Sequence, residues 1–225
     1  RRQERINDIK SRLFKSGIDI YIIPTEDPHL SEYPADHWKL REFVSGFTGS
    51  NGLLALSTQG NFLWTDSRYY LQAEKELHGT DIQLRKEESS PSWIEWVGNF
   101  PTEKATIGIN GRHFSQTTVE KLQEVCEKKN FILKDDICME EENLLPPLPS
   151  SPLFILEEKY CGMTFSEKRN LIFHRCPADY VLLCSLEEIA WTFNLRATDT
   201  AYTPIALAYA ILEGRNHTFS STTAN

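Results

Sequence analysis

The feature that most limits how this chain can fold is the run Glu140-Glu141-Glu142-Asn143-Leu144-Leu145-Pro146-Pro147-Leu148-Pro149-Ser150-Ser151-Pro152, with four prolines in its last seven residues. Each proline removes a backbone donor and fixes φ, so the segment is expected to be held extended as a semi-rigid linker. That divides the 225 residues into a first domain over 1–139, a linker over 140–152 and a second piece over 153–225. Only 73 residues follow Pro152, too few for an α/β piece to bury a comfortable core alone. The second piece is therefore expected to lean on the first or to be an incomplete domain.

Before the linker, periodicities alternate between helix and strand. Ile6, Ile9, Leu13 and Phe14 recur at helical intervals, and Gly17 ends that helix ahead of the β-rich run Ile18 to Ile23. Leu53 to Leu56 and Phe62 to Thr65 flank Gln59-Gly60-Asn61, whose turn chemistry predicts a hairpin. Asp66 stands where an N-cap belongs, ahead of Tyr69, Tyr70, Ala73 and Leu77 at helical spacing. Further helices over 93–97 and 117–128 alternate with strands over 82–84, 106–109 and 131–133. The pattern predicts an α/β fold, a mixed β-sheet flanked by helices on both faces. Beyond the linker, Thr164-Phe165-Ser166-Glu167 and Ser185-Leu186-Glu187-Glu188 both read as capping boxes. Residues 178–183 echo 18–23, which suggests a second, incomplete domain of similar α/β type.

Composition narrows the function. With 24 Lys and Arg against 32 Asp and Glu, the net charge is −8, which disfavours release of counterions from a phosphate backbone and argues against nucleic-acid binding. The longest apolar run, Ile205 to Leu212, falls well short of the roughly 18 residues that cross a bilayer, so no membrane partner is expected. Arg1-Arg2-Gln3-Glu4-Arg5 leads into an amphipathic pattern rather than a signal-peptide core. Cys126, Cys138, Cys161, Cys176 and Cys184 contain no Cys-x-x-Cys pair and read as reduced, mostly packing thiols of a cytoplasmic protein. The sequon Asn216-His217-Thr218 then reads as chance.

Three segments could carry chemistry. Asp27-Pro28-His29-Leu30-Ser31-Glu32-Tyr33-Pro34-Ala35-Asp36-His37 is rich in carboxylate and imidazole, yet holds neither His-x-x-x-His nor His-Glu-x-x-His and reads as a solvated loop. Ser45-Gly46-Phe47-Thr48-Gly49-Ser50-Asn51-Gly52 lacks the Gly-Lys-Ser/Thr ending of a phosphate cradle; its glycines point instead to positive φ and close backbone approach. Ser50 has no Gly-x-Ser-x-Gly elbow around it. In Trp64-Thr65-Asp66-Ser67-Arg68-Tyr69-Tyr70, Arg68 falls at the positive end of a helix and must find an acceptor. That acceptor is either internal, such as Asp66 or a loop carbonyl, or a carboxylate or carbonyl of a ligand or another chain.

Taken in order, Pro24-Thr25-Glu26-Asp27-Pro28-His29-Leu30-Ser31-Glu32-Tyr33, Arg41-Glu42-Phe43-Val44-Ser45-Gly46-Phe47-Thr48-Gly49-Ser50-Asn51-Gly52 and Trp64-Thr65-Asp66-Ser67-Arg68-Tyr69 resemble the N-terminal domain of aminopeptidase P, the Xaa-Pro aminopeptidases of the creatinase/prolidase type. Leu186-Glu187-Glu188-Ile189-Ala190-Trp191-Thr192-Phe193-Asn194-Leu195-Arg196-Ala197-Thr198-Asp199 is similar to the second domain of three-domain members. The resemblance implies domain I and part of domain II of an enzyme that releases the residue preceding proline with two divalent ions, manganese or zinc. It also implies that the metal ligands and catalytic groups lie in a pita-bread domain beyond this chain, which carries no catalytic or metal-binding residue of its own. Arg68 aligns with the Arg of the family's Trp-Thr-Asp-x-Arg-Tyr motif, which implies a substrate contact near a subunit interface. The expectations are a non-catalytic part serving substrate gating and subunit contact, proline-containing peptides as ligands, and a cytoplasmic homodimer. The alternative is a peptide-binding or assembly module of the same fold without enzymatic activity. The resemblance fades in the tail from Gly214.

Overall fold

The computed structural model describes residues 2–214, so the sequon at Asn216 and the rest of the tail lie outside the described residues. These divide into two units, one running to Pro146 and the other from Pro147. In the first, helix α1 (Arg2–Lys15) buries Ile6, Ile9 and Leu13 and gives way to Gly17 at φ +77°. That left-handed backbone is one glycine adopts without a Cβ penalty. Strand β1 (Ile20–Ile23), helix α2 (Leu40–Ser45) and the hairpin β2 (Leu53–Ser57) and β3 (Gly60–Thr65) follow. Next come α3 (Tyr70–Glu76), β4 (Ile82–Lys86), α4 (Trp93–Gly98), β5 (Thr106–Ile109), α5 (Gln116–Lys129) and β6 (Ile132–Lys134).

The six strands form one sheet in the order β4-β3-β2-β1-β5-β6. The β1/β2 and β2/β3 pairs are antiparallel and the others parallel, so the sheet is mixed, as the alternation of elements predicts. Side chains alternate across it. Tyr21, Ile23, Leu54, Leu56 and Leu63 join Ile9, Val44 and Ala73 of the helices in one core. Ile20, Ile22, Ala55, Phe62 and Trp64 join Val97, Leu122 and Cys126 in the other. All four residues of β1 are buried, because a central strand covered on both faces has no solvent side.

The register positions everything that follows. Ile23 pairs with Leu54 and Leu53 with Trp64, so β1 and β3 run the same way with their carboxyl ends beside the start of β2. The loops that follow β1 and β3 and the one that precedes β2 therefore emerge at one edge of the sheet. Crevices outside the carboxyl ends of strands are where open α/β sheets receive ligands.

Two expectations need correcting here. Glu140–Leu144 form a 3-10 turn, so the extended chain begins only after it. Met139 is buried in the first core, Glu142 accepts its amide at 3.1 Å, and the buried Glu141 is paired with Arg12. Of the five cysteines only Cys126 is buried, while Cys138, Cys176 and Cys184 are exposed: Cys138 lies in irregular chain between β6 and the 3-10 turn, and the other two directly follow Arg175 and Leu183, the last residues of a helix and a strand in the second unit. Cys161 is half-buried, and none is in a disulfide.

The second unit contains β7 (Phe154–Ile155), α6 (Glu158–Cys161), α7 (Phe165–Arg175), β8 (Tyr180–Leu183), α8 (Leu186–Phe193), β9 (Leu195–Arg196) and β10 (Ala210–Glu213). Its strands form two antiparallel pairs, β8 with β10 and β7 with β9. The Thr164 capping box forms in both directions. That at Ser185 does not: its hydroxyl hydrogen-bonds Glu187 at 3.2 Å instead of capping an amide.

Candidate functional site

Beyond the end of β3 the chain turns sharply. Asp66 is extended, at φ −86° and ψ 173°, and caps a 3-10 turn over Ser67–Tyr69 before α3 begins. Its Oδ1 accepts the Arg68 amide at 3.0 Å and Arg68 Nε at 2.9 Å, and its Oδ2 accepts Arg68 Nη2 at 2.8 Å. This is the bidentate match of a planar guanidinium to a carboxylate. The internal acceptor weighed from the sequence is thus real, and it leaves the N–H groups of Nη1 out of the pair. The Arg68 side chain is 62% exposed and that of Asp66 only 20%.

Arg68 borders a cavity of about 300 Å³ lined also by Ser50 and Asn51 from the start of β2 and by Thr25, Glu26, Leu30, Ser31 and Glu32 after β1. The two polar segments singled out in the sequence therefore converge on Arg68, although no spacing rule joined them. Asn51 Nδ2 donates to Asp66 Oδ2 at 2.8 Å, Thr65 Oγ1 donates to the Asn51 carbonyl at 2.6 Å, and Ser50 is hydrogen-bonded to the Tyr69 hydroxyl at 2.6 Å.

The far wall is shaped by Asp27. Fully buried, it accepts the amides of His29 and Ser31, each at 2.9 Å, which folds the loop tightly enough to put Leu30 at φ +55°. The loop 47–52 is held by Arg41, buried to 4% exposure, whose Nη1 and Nη2 donate to the carbonyls of Phe47 at 3.1 Å and Gly49 at 2.6 Å. A Cβ on Gly49 would come within 2.3 Å of the Phe47 ring and 2.9 Å of Tyr69, so the close-approach reading of this glycine holds.

Electrostatics follow the contacts. The hydrogen bond from Arg68 holds the Asp66 carboxyl well below the usual carboxylate range, and Asp66 raises the Arg68 guanidinium in return. Desolvation pushes Arg41 down to about 10. A carboxylate whose folded pKa is depressed stabilises the fold above its unfolded value, near 4, and loses that contribution only as pH falls through the lower folded value. Accordingly, the Asp66 carboxyl carbon is expected to keep its ionised NMR shift from pH 5 to about pH 3. A midpoint at about 4 would mean that the pair does not persist in solution.

The histidines do separate work: His37 Nδ1 is paired with the Pro146 carbonyl at 2.7 Å and His113 Nδ1 with that of Glu26 at 2.8 Å. No three His, Cys, Asp or Glu side chains converge on a metal-binding arrangement among the described residues. None of the described helices is long and apolar enough to cross a membrane. Sequence reasoning missed Glu26, Glu32, Arg41 and Asn51 as individual residues; Asn51 was visible only as a member of the glycine-rich segment.

Residues 5–138 match a family model described as the creatinase/prolidase N-terminal domain, and residues 145–223 match a second model of the same description. Aminopeptidase P2 of Arabidopsis thaliana is 36% identical over 226 residues, covering 93% of this chain and 31% of that protein. Xaa-Pro aminopeptidase 1 of Dictyostelium discoideum is 30% identical over 225 residues, covering 93% of this chain and 36% of that protein. The crystal structure of an X-prolyl aminopeptidase from Caenorhabditis elegans, described as a cytosolic enzyme with a di-nuclear active site, matches with a TM-score of 0.85 and 25% identity. That match covers 94% of this chain and 37% of the other. The chain thus spans about a third of the length of these relatives.

Proposed function

Because this chain belongs to the creatinase/prolidase N-terminal domain family, we propose that it is the non-catalytic N-terminal part of a Xaa-Pro aminopeptidase, serving substrate gating and subunit contact. The observation that carries this reading is Arg68, clamped by Asp66 at a cavity on the carboxyl-end edge of the sheet, with Nη1 left out of the clamp. A guanidinium neutralised by its own carboxylate, beside Glu26 and Glu32, suits a neutral acceptor better than an anion. Its partner in this reading is a backbone carbonyl of a proline-containing peptide.

A pair of divalent ions, manganese or zinc, would supply the hydrolytic chemistry in the whole enzyme. The side chains described here do not fit such a centre, since no set of three potential ligands converges among them. The work of this chain is to bind and orient the peptide. In this reading the enzyme is a cytoplasmic homodimer. The reduced thiols accord with the compartment, and the exposed Tyr180, Leu182 and Ile211 on β8 and β10 offer apolar surface for a contact.

The test uses the full-length peptidase that contains this region. Arg68→Ala is expected to raise KM for a Xaa-Pro-Xaa peptide about tenfold with kcat little changed, since one charge-assisted hydrogen bond is worth about 1.4 kcal/mol or more. The 225-residue chain alone, supplied with manganese, is expected to release no N-terminal residue. An unchanged kcat/KM in the variant, or turnover by the chain alone, would overturn the reading.

A further inference from the structure

We infer that Asn51 is a positioning residue of the Arg68 site, acting through Asp66; the functional meaning of this inference rests on the reading of Arg68 just given. A long side chain that is 62% exposed would ordinarily sample many rotamers, so Arg68 can present Nη1 in one direction only if its clamp is itself fixed. Asp66 is fixed from the other side. Its Oδ2 accepts Arg68 Nη2 and Asn51 Nδ2, both at 2.8 Å, while Oδ1 serves the Arg68 amide and Nε.

Asn51 can hold the carboxylate because its own backbone is tied down. The Thr65 hydroxyl donates to its carbonyl at 2.6 Å, bridging the start of β2 and the end of β3. A second carboxylate, Glu87, just past the end of β4, lies close enough to feel the charges of Asp66 and Arg68. Desolvation, and then the charge of Asp66, raise the pKa of Glu87. Two acidic groups that repel each other thus stand near a single guanidinium, and one of them, Asp66, is held in place by the amide of Asn51. Without that amide, Glu87 becomes a competing acceptor for Arg68 and the orientation of the fork is lost.

The first measurement needs only this chain. In 15N-labelled protein the Arg68 Nε–H is expected to exchange slowly with solvent, and Asn51→Ala to speed that exchange about fivefold or more as the clamp loosens. The matched control is Asn61→Ala, which cuts a comparable 2.8 Å contact from Asn61 Nδ2, on the other end of the same hairpin, to Asp81 just ahead of β4. It is expected to leave the Arg68 signal unchanged. In the full-length peptidase, Asn51→Ala should raise KM about fivefold with kcat nearly constant, and Asn51→Gln, which keeps the amide donor, should recover part of the loss. If Asn51→Ala fails to fold, as its amide spectrum would show, Asn51→Gln carries the same comparison with a smaller shift.

Exchange at Arg68 unaltered by either Asn51 variant overturns the inference, and so does an equal effect from Asn61→Ala. Arg68→Ala separates the two claims. If it leaves KM unchanged, the substrate reading of Arg68 falls whatever Asn51 does; if it raises KM while Asn51→Ala does not, only the positioning role falls.

Discussion

Arg41→Met is expected to lower the stability of the first unit by about 3 kcal/mol, seen as a fall in melting temperature of roughly 6 to 12 °C. The reason lies in what the substitution leaves behind. Met preserves most of the apolar stem but removes the guanidinium, whose carbon lies 4.9 Å from the Phe47 ring centroid, so that cation–π contact is lost as well. The carbonyls of Phe47 and Gly49, on residues that are both buried, lose their donors. Each stranded acceptor costs about 1 to 3 kcal/mol, and the sum is offset in part because a buried charge no longer has to be desolvated. The same desolvation lowers the Arg41 pKa to about 10.

Arg41→Lys should recover at most about half the loss, because an ammonium lacks the planar fork that spans two carbonyls. Four of the five tryptophans, Trp38, Trp64, Trp93 and Trp96, lie in the first unit, so their fluorescence follows it through a urea titration. A loss below about 1 kcal/mol in Arg41→Met would show that both carbonyls find other donors at little cost. The same variant should speed exchange at Arg68, since Ser50 and Asn51 follow directly on the carbonyl that Arg41 holds.

This dependence shows where the sequence was informative. Helix α1, strand β1 and the hairpin were legible because apolar periodicity and glycine chemistry act over a few residues, and Gly17 and Gly60 both adopt positive φ. Asp66 was legible as a cap, and as one acceptor for Arg68, because both roles are local. It caps one turn of 3-10 helix rather than α3 itself, a difference set by the demand that Arg68 fold back onto it. The Ser185 box failed because Glu187, one residue nearer than the box requires, captured the serine hydroxyl. Nothing local marked Arg41, whose partners lie six and eight residues on in an irregular loop. The cavity was invisible for the same reason, since it joins segments that only the sheet register brings together.

Lys168 was equally silent in the sequence, and its replacement by Met is expected to destabilise the second unit by about 2 to 3 kcal/mol. A lysine in helix α7 at 2% exposure is unusual, because burying an ammonium is tolerated only when its donors are satisfied. Here the satisfaction comes from the end of another helix. Nζ donates to the Trp191 carbonyl at 2.7 Å and to Asn194 Oδ1, and lies 4.6 Å from the Trp191 ring centroid. Trp191 is in the last turn of α8, where carbonyls lack intrahelical partners and the dipole favours a cation. Asn194 ends that helix at φ +54° and donates its own amide to the Met163 carbonyl at 3.0 Å, just ahead of α7. One ammonium thus joins the start of α7 to the end of α8. In Lys168→Met the stem still packs, but the carbonyl and the Asn194 side chain both lose a charged donor. Amide exchange over the last turn of α8 should accelerate by about 30-fold to 160-fold, while β1 and β5 in the first unit stay protected. Acceleration spread equally over both units would refute a local latch, and protection retained in α8 would show that the Asn194 cap holds without the cation.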